Sequence, residues 1–559
     1  MPTGGGKSIC YQIPALVMEG LCIVVSPLIA LMDDQVMSLK QLGIKAASLH
    51  SNMTHESKIQ IDGLIRDNQL KLLYVSPEKM RSDRFIEFIR TKQVNLIAID
   101  EAHCVSIWGN DFRPDYVELK SVKTSFPETP VIALTATADT ITQDDIISQL
   151  QLKSPKKFVS SFERKNISAI CRPGQDRIKQ IYQFVSKHSN EAGIIYCLSR
   201  KGTENMAEKL VDRGIKAAHY HAGCDPAYRS KIQTQFHEGD IDIVCATIAF
   251  GMGIDKPNIR FVIHYNMPKN IEGYYQEIGR SGRDGEPAEA LLFYNWADRT
   301  QLQKFIDESE ASDTFKMVQT SKLERMWQYA NSKTCRTNLV LNYFGEYKSE
   351  NCGHCDNCHS PPKLIDGTTY AKMAISGVIR CVEKLNLQLL MDLLKGSGKA
   401  EVMKMGLDKI KTYGVGRALP YSHWRAYINQ MIDQGILFID LRDAGKLKTT
   451  PLSDAVLKGA MSVPLAEYIN PSKIQKKAPI AKSNTVEAYD ESLFDSLKKW
   501  RLQKARLAKV PPYVIFNDRT LKLISAHKPK DNNQLLLIDG LGKVKLERYG
   551  EELLNIIGD

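Results

Sequence analysis

The chain has 559 residues, a formal net charge of +11, 43% hydrophobic residues and 25% charged ones. That length exceeds what one hydrophobic core can organise and suits about three to five domains, and the ordinary globular composition excludes a disordered or fibrous chain. No apolar run approaches the roughly 20 residues of a bilayer-spanning helix and no basic-then-apolar leader opens the sequence, so the expectation is a cytoplasmic protein with no membrane contact.

In chain order, residues 1–150 alternate helical stretches with short β-branched runs at 21–27, 71–77, 95–101 and 130–136. Continuous apolar runs of this kind read as parallel strands buried on both faces. Residues 160–297 repeat the scheme at 192–199, 216–223, 240–247 and 259–266. Two successive α/β units predict two similar lobes, 1–157 and 158–297, with a cleft between them. Helical patterning follows over 298–362, then a mostly helical unit at 363–464 with a β-type end near 436–450. A weakly periodic linker at 465–487 leads to a last helical unit at 488–559. Residues 455–559 hold 18 Lys/Arg against 12 Asp/Glu, which fits a polyanionic partner or a solvated basic tail equally well.

Several constellations carry chemistry. Thr3, Gly4, Gly5, Gly6, Lys7 and Ser8 form a Gly-rich loop ahead of a helix. Such glycines let backbone N–H groups close around phosphates; Lys7 is a point charge for the β/γ oxygens and Ser8 a ligand for Mg²⁺. Alone, the loop could be an ordinary Gly-rich turn. It is joined by Asp100-Glu101-Ala102-His103 directly after an apolar run, which places Asp100 to hold Mg²⁺ and Glu101 to orient an attacking water. Gln276, Arg280 and Arg283 are spaced to share one helical face, from which the arginines would reach the γ-phosphate across the cleft. Trp108, Phe112 and Arg113 offer stacking surfaces and a cation to single-stranded nucleic acid; core packing is the competing reading, opposed by charged and Gly/Pro neighbours.

Cys335, Cys352, Cys355 and Cys358 follow C-x16-C-x2-C-x2-C, a closed tetrahedral set for structural Zn²⁺. An iron–sulfur cluster, substitution by His354 or His359, and free thiols are the alternatives. The other eight cysteines are scattered, as in a reducing compartment.

Together with SPLIALMDDQV (26–36), ALTATA (133–138) and IVCATIAFGMGIDKP (243–257), these motifs make the sequence resemble the RecQ family of superfamily-two DNA helicases, in bacterial layout, over nearly the whole chain. The resemblance implies an α/β fold of two RecA-like lobes, then a helical zinc-binding domain, a winged-helix domain and an HRDC domain. It implies ATP, Mg²⁺ and Zn²⁺ as cofactors, with Asp255 at the nucleotide. Single-stranded and duplex DNA and a single-strand-binding protein are the implied partners, with 3′-to-5′ unwinding in recombination and repair near the nucleoid. In the winged-helix unit, Ser422 would cap a helix that carries His423 and Arg425 and breaks at Gly435. Lys446 and Lys448 would flank a hairpin turn, together a duplex-docking surface or simply a packing unit. In the HRDC unit, the Gly540-x-Gly542 turn with Lys543 and Lys545 would hold a phosphate, or the unit would bind protein. Ile107 and Asn110 stand where the family usually has Gln and His. The chain also begins inside the phosphate loop, without the family's upstream adenine-recognising segment, so a truncated N-terminus with weak or absent hydrolysis is expected. An RNA helicase and a non-catalytic DNA-binding or annealing protein are the rival expectations.

Overall fold

Short apolar strands covered on both faces by helices dictate the first lobe. Strands β1 (Leu21–Val25), β2 (Ala46–Leu49), β3 (Leu72–Val75), β4 (Val94–Ile99) and β5 (Val131–Ala133) pair in the order β2-β3-β1-β4-β5, every pair parallel. All residues of β1, β2 and β3 are buried, as a doubly covered parallel sheet requires. In the computed structural model, residues 2–4, 51–52, 110, 252–255, 349, 441–442, 444, 469–488, 509 and 559 lie outside the described set. Thr3, Gly4, Asn110, Asp255 and most of the expected linker therefore fall outside the described residues.

The second lobe has strands β6 (Ile167–Pro173), β7 (Ala192–Tyr196), β8 (Ala217–Tyr220), β9 (Ile243–Ala246), β10 (Ile259–His264) and β11 (Ala288–Tyr294). Their order is β6-β11-β10-β7-β9-β8, again wholly parallel. The helical segment that follows has no core of its own. Leu323, Met326, Tyr329 and Leu339 bury in one cluster with residues of β10 and β11, and Phe344 stacks on Phe162 with ring centroids 4.3 Å apart.

A separate core forms around Trp424, whose Nε1 donates to the Gly416 carbonyl at 2.9 Å. Here β12 (Leu364–Asp366), the hairpin β13 (Leu437–Asp440) and β14 (Lys446–Thr449), and β15 (Pro464–Ala466) complete the unit; β12 pairs β15 and β13 pairs β14, both antiparallel. Residues 465 and 466 are thus strand rather than linker, because Leu465 is fully buried in that core and Ala466 nearly so. The last unit packs helices Glu491–Ala508, Asp518–His527 and Lys543–Gly558 around Leu497, Phe516 and Leu535. It docks on the second lobe through Arg506–Asp240 at 2.7 Å and Lys522–Glu286 at 2.8 Å. Among the described residues, no helix is long and apolar enough to cross a membrane.

Candidate active site and nucleic-acid interface

Strand β4 stops at Ile99, delivering Asp100 and Glu101 to the C-terminal edge of the sheet, where α/β folds build their sites. Ahead of helix Ile9–Val17, Gly6 takes φ +76°, a conformation glycine adopts without strain. Ser8 is half-buried at the start of that helix, and Lys7 Nζ lies 3.3 Å from Glu101 Oε1. Glu101 itself sits in the left-handed region at φ 47°, ψ 46°, a conformation that costs a non-glycine residue about 1–3 kcal/mol and clusters at functional sites. Its backbone N–H donates to Asp100 Oδ1 at 2.9 Å, while its Oε2 lies 3.3 Å from His103 Nδ1. Burial, then the neighbouring Glu101 charge, push Asp100 up to about 6. Burial acts upward on Glu101 too, yet Lys7 and His103 hold it well below the usual carboxylate range. A desolvated acid beside a second negative charge is an environment that a divalent cation relieves, so this donor set fits Mg²⁺ accompanying a nucleotide.

Across the cleft, Gln276 Nε2 donates to Thr137 Oγ1 at 2.8 Å, joining the two lobes. The expected single helical face for Gln276, Arg280 and Arg283 is not formed. Helix Ile271–Ile278 ends first, and both arginines lie in the turns that follow. Gly282 lies in those turns at φ +57°, where a Cβ would stand 2.4 Å from Asn166 Nδ2 and 2.8 Å from the Glu286 carbonyl, so the turn admits only glycine there. Arg280 is 7% exposed and donates from Nη1 to the Gly251 carbonyl of its own lobe; Arg283 is half-buried in the same turn.

Beyond Asp100 and Glu101 the chain makes a 3₁₀ turn, Ala102–Val105, and enters the aromatic loop. Trp108, Phe112 and Arg113 are each half-buried, so none is a core residue. Phe112 faces Phe315 at 6.5 Å, and Arg113 is held by Asp111 Oδ2 at 3.0 and 3.1 Å and by the Pro27 carbonyl at 2.9 Å. The loop is supported by Thr135 Oγ1 of the ALTATA motif, 2.9 Å from His103 Nδ1, and by the buried Lys322, which sequence reasoning missed. A lone lysine in a polar helix gives no signal that would have found it.

The Sγ atoms of Cys335, Cys352, Cys355 and Cys358 all lie within 4.8 Å of one another, with Cys355–Cys358 at 3.4 Å and Cys352–Cys358 at 3.8 Å. Zn–S bonds of about 2.3 Å in a tetrahedron put sulfurs roughly 3.8 Å apart, so four thiolates fit zinc with no position left open. Backbone N–H groups of Arg336 and Cys352 point at Cys355 Sγ and Cys335 Sγ, at 3.4 and 3.3 Å, support of the kind that tunes metal thiolates. Asp356, paired with Arg336 at 2.9 Å, accepts from the Cys171 N–H of β6 at 2.9 Å, which clamps the knuckle onto the edge of the second sheet. His219, His221 and Cys224 also gather within 4.8 Å. There the sulfur is nearly equidistant from both His221 ring nitrogens, at 3.4 and 3.5 Å, and His221 Nε2 is engaged by Glu204 at 2.9 Å. That geometry aims neither lone pair at a shared ion.

In the winged-helix unit the helix is Tyr421–Asp433 with Pro420 at its N-cap, so Ser422 lies inside the first turn instead of capping it; the φ of −62° at Pro420 starts the helix early. The break at Gly435, φ +71°, falls where the sequence places it. Ser422 and Arg425 are exposed and His423 half-buried. Lys446 and Lys448 both lie on β14, and both bond Asp443, at 2.5 and 2.8 Å, so the hairpin partly neutralises its own cations. In the last unit Lys543 is exposed at the first position of its helix. Lys545 is half-buried with Nζ 5.1 Å from the Phe516 ring, and burial lowers its pKa.

Two parallel lobes with a phosphate loop, a strand-end acid pair and a bridging glutamine define the DEAD/DEAH helicase class. Residues 1–146 match the DEAD/DEAH box helicase signature and 176–285 the helicase conserved C-terminal domain. Residues 296–359 match the RecQ zinc-binding signature, 361–473 the RQC domain and 490–557 the HRDC domain. The chain is 42% identical over 558 residues to the ATP-dependent DNA helicase RecQ of Haemophilus influenzae, covering 100% of this chain and 90% of that protein. It is 40% identical to the Pasteurella multocida protein of the same name and 36% to that of Bacillus subtilis, spanning 88% and 92% of their lengths. The chain belongs to the RecQ family.

Proposed function

We propose that this chain is an ATP-driven DNA helicase that unwinds duplexes 3′-to-5′ in recombination and repair. The observation that carries the reading is the Gln276–Thr137 bond at 2.8 Å, which ties the second lobe to the segment supporting His103 and Glu101. Thr3, Gly4, Gly5 and Gly6 wrap the phosphates and Lys7 meets the β/γ oxygens. Ser8 and Asp100 hold Mg²⁺, which neutralises phosphate charge when bound, and Asp255 contributes to the nucleotide site. Glu101 orients the water. Arg283 stabilises the charge that develops in the transition state, and Arg280 acts with it through the segment at Gly251.

Trp108, Phe112 and Arg113 contact the single strand. Ser422, His423, Arg425, Lys446 and Lys448 meet the duplex, and Lys543 and Lys545 a further phosphate. The zinc in its four-cysteine site is structural. The working units are 1–157, 158–297, 298–362, 363–464 and 488–559, and the protein acts in the bacterial cytoplasm at the nucleoid with a single-strand-binding protein as partner. Steady-state ATPase tests the reading: DNA strands should stimulate turnover more than RNA strands, and Lys7→Ala should lower it by roughly 10²-fold. Stimulation by RNA alone, or DNA binding with no turnover above Lys7→Ala, would replace this reading by one of its rivals.

A further inference from the structure

Lysine is seldom fully buried, yet Lys322, on helix Asp313–Asn331, is 1% exposed. All three of its ammonium donors are engaged, by the carbonyls of Trp108 and Gly109 at 2.5 and 3.2 Å and by Glu272 Oε1 at 2.5 Å. Removing such a charge pair from water is costly, so the contact needs a reason beyond packing. Two consecutive carbonyls reach one cation only from a tight turn. Gly109 supplies it, with its N–H donating to Ser106 O at 3.0 Å and no room for a Cβ, which would stand 2.2 Å from the His103 carbonyl.

The aromatic loop thus rests on His103, which touches Glu101 and Thr135 at 3.3 and 2.9 Å. On its other side, Glu272 lies in the first turn of the helix that carries Gln276, and the Thr137 N–H, next to the atom Gln276 bonds, donates to Thr135 Oγ1 at 3.2 Å. The contacts close a ring, from the loop through His103 to the second lobe and back through Lys322. Backbone carbonyls are what Lys322 holds, so the side chains of Trp108 and Phe112 take no part in the lock and stay half-buried.

We propose that Lys322 is a positioning residue that locks the aromatic loop to the Gln276 helix, so that a strand seated on Trp108 and Phe112 is sensed at Glu101 and at the lobe interface. This rests on the reading of the loop as a strand contact. The full-length, zinc-loaded chain is titrated with oligothymidine in an ATPase assay, unaltered and as Lys322→Met, Lys322→Arg and Glu272→Gln, with DNA affinity read by fluorescence anisotropy. In Lys322→Met the DNA-saturated rate should fall roughly tenfold, while the rate without DNA and the DNA affinity move by no more than about twofold. Lys322→Arg should recover part of the loss, and Glu272→Gln should fall in the same direction by less. An unchanged stimulated rate in Lys322→Met overturns the proposal. So does an equal fall of both rates with a lowered unfolding midpoint, the mark of a purely structural contact. Should Lys322→Met not fold, Glu272→Gln decides by the same criteria. Absence of DNA stimulation in the unaltered chain overturns the helicase reading, and the proposal with it.

Discussion

Lys7, Asp100 and the four cysteines were legible in the sequence because each belongs to a short motif whose spacing carries its own physical reason. Lys322 was not, since its partner Trp108 stands 214 positions away and no local pattern announces such a pairing. Titration at a single residue offers a test of local electrostatics away from the site. Burial opposes the charge on His188, but Glu191 at 2.7 Å and Glu289 at 3.7 Å raise its pKa to about 9 from the usual 6.5. A raised folded-state pKa means that this contribution to stability is fully present below about 6.5 and lost as the pH rises through about 9. Because both carboxylates are well exposed, the effect is discounted for screening. His188→Gln, which also loses the ring's packing on Phe184 and Phe261 at any pH, should cost about 1–2 kcal/mol more near pH 6 than near pH 10, as read from urea unfolding midpoints. An equal cost at both values would remove the ion pairs from the account.

At the scale of elements, short apolar runs marked β1, β3, β4, β5, β7, β8, β9 and β10, while β2, β6 and β11 escaped. The sequence of β2, AASL, carries little hydrophobic signal. Strand β6 is an edge, half-polar along its length, and takes its protection from the zinc knuckle. The Ala- and Leu-rich start of β11 has helical propensity that pairing with β10 and β6 overrides. Gln276, Arg280 and Arg283 have helical spacing, but the helix ends at Ile278 and the chain turns through Gly282 at φ +57°, a break their spacing alone does not signal. The knuckle itself makes a prediction. A structural zinc contributes folding free energy directly, so Cys355→Ser should abolish the bound zinc and lower the thermal midpoint by roughly 6–12 °C, several kcal/mol at this domain size. Retention of one zinc per chain by that variant, measured by atomic emission, would contradict a four-cysteine site.

For the whole molecule, the order of two α/β lobes, a cysteine cluster and two mostly helical units follows from alternating periodicities and cysteine spacing, and the winged-helix assignment from the family resemblance. Two larger features do not. The segment after 297 shares the second lobe's core, through Met326, Tyr329 and Leu339, instead of forming its own. The last unit spends Arg506 and Lys522 on Asp240 and Glu286 of that lobe, so the basic excess near the C-terminus is not all free for DNA. Both arrangements rest on contacts between distant segments, which composition does not encode. They join the zinc knuckle and the last unit to the second lobe, which meets the first at Gln276 and Thr137. The most direct test of a DNA motor is strand displacement from a duplex with a 3′ single-stranded tail, with ATP, by the full chain and by Lys7→Ala. The account predicts ATP-dependent release of the shorter strand by the unaltered chain and none by the variant. Release that persists in Lys7→Ala, or binding of the tailed duplex with no release in either protein, would contradict it.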